Sequence, residues 1–409
     1  MNDKDTTRHQ AKRNTVLDPP CGALLPAEDG IEAAFVGWLK EALNRNIFDA
    51  LLIPVEVPAE DSFAYLLLQD AAILESASPL PPVMPVQGGK AISRLTMRGN
   101  GNKRIAVVVR PCEARAAVEL VKLKQAHLDN LWLITMDCPG ALLLSDYLED
   151  PAAGAARFAK AYADRRHPSE WDREPMRPVC QICNHFSLRQ APVSDLHIGT
   201  LGSSDGAVFI IPASPKGERI LEDMDMPVDA ALDSWAEQVE EAEQTQTERR
   251  RQAHTELRET ITGPERLMDV FSNCINCHNC QRACPMCYCR QCYFESAALK
   301  LPPENYLARA EHKGALRFSP DTLLFHIGRA SHMILSCVSC GACEDACPMD
   351  IPIAQVFSLL ADRAQETLGY VAGGSLEEPL PLVAYEMDEL HQVEQPYVEI
   401  YHKQEVQDA

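Results

Sequence analysis

The sequence predicts two parts, an α/β domain and, after it, an all-helical domain. Three stretches carry this expectation. RIAVVVR (104–110), a helix-patterned segment and LWLITMDC (131–138) follow one another as strand, crossover and strand. A charged segment from Asp229 to about Thr262 reads as one long connecting helix. Beyond it stand two copies of C-x-x-C-x-x-C-x-x-x-C-P, separated by a long stretch of helical pattern that does not suit a compact β-rich fold.

In chain order, residues 1–30 are polar and Pro-containing and are expected to be a flexible segment, with Cys21 a bystander. Residues 31–228 are expected to form the α/β domain. IEAAFVGWLKEALNRN (31–46) has helical spacing, and FDALLIPVEV and FAYLLLQD read as strands before a Pro-rich loop. The β-branched run RIAVVVR suits a strand buried on both faces. Pro111 suits the first turn of the helix that follows, and a right-handed crossover sets 104–110 and 131–138 parallel and adjacent. Cys112 and Cys138 then fall just past carboxyl ends of strands, where open α/β sheets bind ligands. Residues 151–176 read as a helix and a polar loop, and DLHIGTLGSSDGAVFIIP as strand, Gly turn and strand. The connector covers 229–262, and its Arg249-Arg250-Arg251 run is expected to be a solvated face. The helical domain covers 263–372, and an acidic, Pro-containing tail, expected to be extended over a partner or disordered, covers 373–409.

The chain has 409 residues, sixteen Cys and a formal net charge of −21. That charge argues against nucleic acid as a partner, because phosphates would be repelled. The opening MNDKDTTRHQAKRN has no apolar core of a secretory signal, and no apolar run approaches the ~20 residues a membrane span needs. The Cys fall at ligand-type spacings rather than in a short disulfide scaffold. A soluble protein of a reducing cytoplasm is expected.

The doubled run places Cys274, Cys277, Cys280 and Cys284 in one copy and Cys337, Cys340, Cys343 and Cys347 in the other. Three thiolates at two-residue gaps grip one corner of a cubane, and the fourth, before Pro, reaches the other cluster. This spacing assigns Cys274, Cys277, Cys280 and Cys347 to one [4Fe–4S] cluster, and Cys337, Cys340, Cys343 and Cys284 to a second. Zinc also uses C-x-x-C pairs, but it has no need of a crossed fourth Cys. Cys112, Cys138 and the C-x-x-C pair Cys180/Cys183 supply four more thiolates. They suit a third [4Fe–4S] cluster, a set of packed thiols or a redox dithiol, and spacing alone leaves these open. Cys287, Cys289 and Cys292 are similarly open between a substitute ligand, a further centre and packed thiols.

RPVCQICNHF, SDLHIGTLG and RPCEARAAVELVKL…LWLITMDC resemble the beta subunits of coenzyme F420-reducing hydrogenase and related formate dehydrogenases, over about residues 80–225. The segment with CPMCYCRQC resembles the formate dehydrogenase beta subunits in particular. The resemblance implies an iron–sulfur flavoprotein: an α/β flavin- and cluster-binding domain plus an all-α two-[4Fe–4S] ferredoxin domain. It implies FAD as a cofactor and Cys112, Cys138, Cys180 and Cys183 as ligands of the third cluster. Electrons would pass between a soluble carrier (NAD(P)H, ferredoxin or a deazaflavin) and the catalytic subunit of a formate dehydrogenase or hydrogenase. A heterodisulfide-reductase-like complex, or a flavin-free docking subunit, is the alternative. For the flavin, Gly88, Gly89 and Lys90 are candidates to approach a phosphate, and Gly199, Gly202 and Gly206 to line a ring edge or a pyrophosphate. The plainer reading makes all five glycines turn residues. No G-x-G-x-x-G fingerprint occurs.

Overall fold

The computed structural model describes residues 21–58, 62–84, 86–99, 101–163, 176–187, 193–203 and 206–383. Eight strands form one mixed sheet: β1 Cys21–Pro26, β2 Ala50–Glu56, β3 Phe63–Leu68, β4 Ile105–Val108, β5 Leu131–Met136, β6 Leu196–Gly199, β7 Ala207–Pro212 and β8 Ala230–Ala231. Their order is β3-β2-β4-β5-β6-β7-β1-β8. The centre, β2-β4-β5-β6, is parallel, and the remaining pairings are antiparallel. The expected crossover is present, with β4 beside β5 and Ile105 opposite Leu131.

Around the sheet lie α1 Ile31–Asn44, α2 Gly88–Thr96, α3 Pro111–Lys122, α4 Leu144–Glu149, α5 Pro151–Ala163, α6 Pro178–Gln181 and α7 Pro215–Asp223. The helix α8, Asp233–Ile261, leads to α9 Pro264–Val270, α10 Asn279–Ala283, α11 Pro303–Lys313, α12 Thr322–Met333, α13 Ala342–Asp345 and α14 Ile353–Thr367. Among the described residues from 263 on there is no strand, so the all-helical expectation for this part matches.

Successive side chains of a strand point to opposite faces, and β4 divides accordingly. Ala106 and Val108 join one core with Phe35, Leu39 and Ile134, while Ile105 and Val107 join another with Leu120 and Leu133. That second core continues without a break into Phe325, Phe357 and Ala354 of the helical part. The two parts therefore share apolar packing.

Three expectations fail locally. The segment expected to be flexible to residue 30 contains β1, which pairs with both β7 and β8; residues 1–20 lie outside the described residues. Arg250 is not solvated. It is 7% exposed, and its guanidinium donates to Asp362 at 2.5 and 2.6 Å and to Ser339 and Ser358 at 3.0 and 2.8 Å. The start of the expected acidic tail is docked: Gly373 N donates to Glu119 Oε1 at 2.7 Å, Tyr370 Oη to the same oxygen at 2.5 Å, and Arg115 Nε to Ala372 O at 3.0 Å. Residues 384–409 lie outside the described residues.

Candidate functional site

The two Cys runs fold alike. In each, the second residue after the first Cys (Asn276, Ser339) and the first after the second Cys (His278, Gly341) have positive φ, between 55° and 79°. A left-handed non-Gly residue costs about 1–3 kcal/mol, and here that conformation curls the loop so that its thiols face inward. Asn276 N lies 3.4 Å from Cys274 Sγ, donating to it. Next, α10 and α13 turn Cys284 and Cys347 toward the opposite run. Cys274, Cys277, Cys280 and Cys347 line one cavity with His278 and His326. Cys284, Cys337, Cys340 and Cys343 line a second, closed by Met286, Met333 and Phe357.

A third cavity forms at the carboxyl edge of the parallel strands. Cys112 stands in the first turn of α3 after β4, Cys138 just after β5, and Cys180 and Cys183 in and after α6. All four line this cavity, with Arg110, His185 and Phe186. Cys138 N donates to Phe186 O at 2.9 Å, tying the two loops together. Arg110, 3% exposed, donates from Nη1 to Cys138 Sγ at 3.2 Å and to Gly140 O at 2.5 Å, and from Nη2 to Pro81 O. Ser339 and Cys340 complete the wall. Cys340 thus borders both the second and the third cavity.

The donor sets fit iron–sulfur cubes. Four thiols border each space, the number of ligands that a cubane takes. Buried ring nitrogens His185 Nδ1, His278 Nε2 and His326 Nδ1 have no protein partner, and these residues line the third and first cavities. Unsatisfied buried polar atoms at the walls call for a polar occupant. Burial pushes the Cys180 thiol up to about 12 and the Cys337 thiol to about 11. An activated dithiol needs the opposite shift, whereas a bound cation would deprotonate such thiols outright.

Of the flavin candidates, Gly88 with Gly89 and Gly199 with Gly202 come out as two separate packing contacts. Gly88 N donates to Glu113 Oε1 at 2.6 Å, and a Cβ on Gly88 or Gly89 would run into Glu113 or Ala116 of α3. These glycines let α2 approach α3. Lys90 Nζ donates to Arg282 O in the cluster part. Gly199 and Gly202 sit against Trp235 and Ser234 at the start of α8, and Gly206 turns toward β7 with φ 81°. A pocket of Pro54, Phe63, Tyr65, Val86, Arg110 and Glu113 shares Arg110 with the third thiol cavity.

Several supporting residues escaped the sequence reading. Asp137, next to Cys138, accepts from His197 Nε2 at 2.9 Å, Ser187 Oγ at 2.5 Å and Trp235 Nε1 at 3.0 Å, pinning β6 and α8 to the site. Arg329 donates to Cys280 Sγ at 3.0 Å. A signal for it existed: Phe325, Arg329 and Met333 share one helix face in an apolar segment.

Fold and site together define a protein with a helical dicluster domain packed on an α/β domain. The family model for a 4Fe-4S dicluster domain matches residues 270–351. The chain is similar to the F420-dependent formate dehydrogenase subunit beta of Methanocaldococcus jannaschii, 28% identical over 381 residues, 86% of this chain and 94% of that one. It is also similar to the F420-dependent formate dehydrogenase 1 subunit beta of Methanococcus maripaludis, 26% identical over 85% of this chain and 92% of that one. A chain of the F420-reducing [NiFe] hydrogenase complex from Methanosarcina barkeri matches 59% of this chain and 96% of its own, at 16% identity and a TM-score of 0.42, too slight a likeness to build on. The resemblance to formate dehydrogenase beta subunits, oxidoreductase components, thus extends over most of the chain. Among the described residues no helix is long and apolar enough to cross a membrane.

Proposed function

We propose that this chain is the electron-transfer subunit of an oxidoreductase, passing electrons between a soluble carrier met at FAD and a partner catalytic subunit, a formate dehydrogenase or a hydrogenase. The observation that carries the reading is the shared wall at Cys340, which makes the α/β thiol set a neighbour of the second helical-domain set. Clusters held there would accept electrons singly, and a flavin would take them in pairs. The chain's own part is to hold the thiolates, exclude water and place charge. Arg110 donates to Cys138 Sγ, and the Cys340 loop lies between the cavities. Arg177 anchors that loop by donating to Cys340 O at 3.2 Å. The pocket that shares Arg110 adjoins the third set, and a flavin would be met on that side.

Anaerobic purification from the native host tests this. Bound FAD and a co-purifying molybdopterin or nickel subunit support the proposal. A flavin content near zero removes the carrier-facing half, and purification with an unrelated redox subunit removes the partner assignment.

A further inference from the structure

Helix α12 runs past both helical-domain thiol sets and touches each. Arg329 Nη1 donates to Cys280 Sγ at 3.0 Å, and Nη2 to Cys280 O at 3.1 Å. One turn on, the Met333 sulfur lies 3.9 Å from Cys284 Sγ and lines the second cavity. The guanidinium is 3% exposed, held between the rings of Phe325 and Phe357 at 5.4 and 5.2 Å from their centroids. Its Nε is buried without a protein partner. Phe357 also closes the second cavity, so the guanidinium lies between a sulfur of the first set and the wall of the second. A buried cation with no carboxylate among these contacts is costly, and what it meets is the Cys280 sulfur on one side and the second cavity's Phe357 wall on the other.

We infer that Arg329 is a shared potential-setting cation, one positive charge that raises the reduction potentials of both helical-domain sites together. The inference rests on the ligation reading above. An added electron makes a cluster more negative, and an unscreened positive charge with a hydrogen bond to sulfur favours that state. The third set has its own cation, Arg110 on Cys138, and lies outside this pairing. Arg329 is a positioning residue that acts through Cys280 and the neighbouring sulfurs.

The test uses the full chain, purified anaerobically, as wild type and as Arg329→Met, Arg329→Gln and Arg329→Lys. Iron content and EPR-monitored redox titration are read for each. In the loaded Met and Gln variants both helical-domain signals should move to lower potential, while the third signal stays. The Lys variant, which keeps the charge, should move least. Unchanged midpoints in loaded variants, or movement of one helical-domain signal alone, would overturn the inference and leave the ligation reading intact. Iron loss in all three variants would also overturn it, making Arg329 an assembly residue. A wild-type protein lacking both helical-domain signals would remove the ligation reading and this inference with it.

Discussion

Arg177 Nη2 lies 2.5 Å from Asp345 Oδ2, an ion pair with side chains only 2% and 6% exposed. Arg177 immediately precedes α6, which carries Cys180, and Asp345 stands between Cys343 and Cys347. One buried pair therefore fastens the α/β thiol set to the helical-domain sets. Asp345 also accepts from Leu144 N at 2.9 Å, and Arg177 Nη2 donates to Met84 O at 3.0 Å. Removing one partner of a buried pair costs about 3–5 kcal/mol, because the other charge is left unpaired. Arg177→Met or Asp345→Leu should lower the melting temperature, and the double variant should lose less than the sum of the singles. Additive losses in that cycle would show that the pair is not coupled.

Arg110 stands to the third set as Arg329 does to the first, as a buried guanidinium on a thiol sulfur. In Arg110→Gln the third-set signal should move to lower potential while the helical-domain signals hold. A redox titration that shows the reverse pattern would assign the cavities wrongly.

Gly373 has φ 70°, and a Cβ there would collide with the Arg115 backbone. Gly373→Ala combines left-handed strain of about 1–3 kcal/mol with a lost close approach. It should loosen the chain from Tyr370 onward, read as faster proteolysis there with the cluster spectrum retained. Unchanged protection would mean that the Glu119 contacts alone hold the segment.

Arg250 clamps the connector helix to α14 through Asp362 and Ser358. Arg250→Ala should destabilise the protein by about 3–5 kcal/mol at most, less in so far as Asp362 is open to solvent. Equal melting temperatures for variant and wild type would return Arg250 to the solvated face that the sequence suggests.

The residues that were legible in the sequence are those whose role follows from local spacing. The Cys runs name their own partners because two-residue gaps fix how three thiols can converge and the Cys-Pro end sends the fourth across, and RIAVVVR shows a strand buried on two faces. What was not legible depends on distant chain. CGALLP becomes β1 only because β7 and β8 flank it. Arg250 looks solvated within a charged run, yet it shares a helix face with Trp235, Val239, Gln246 and His254, all buried. Gly88 and Gly202 invited a ligand reading, but α3 and α8 fill the space in front of them.

The central claim is that three thiol sets hold three cubes, and iron and acid-labile sulfide per chain test it most directly. About twelve irons are expected in anaerobic wild type and about eight in Cys180→Ala, four per cubane. Cys340→Ser should damage the helical-domain clusters. Zinc in place of iron, or an iron content that Cys180→Ala leaves unchanged, would contradict it.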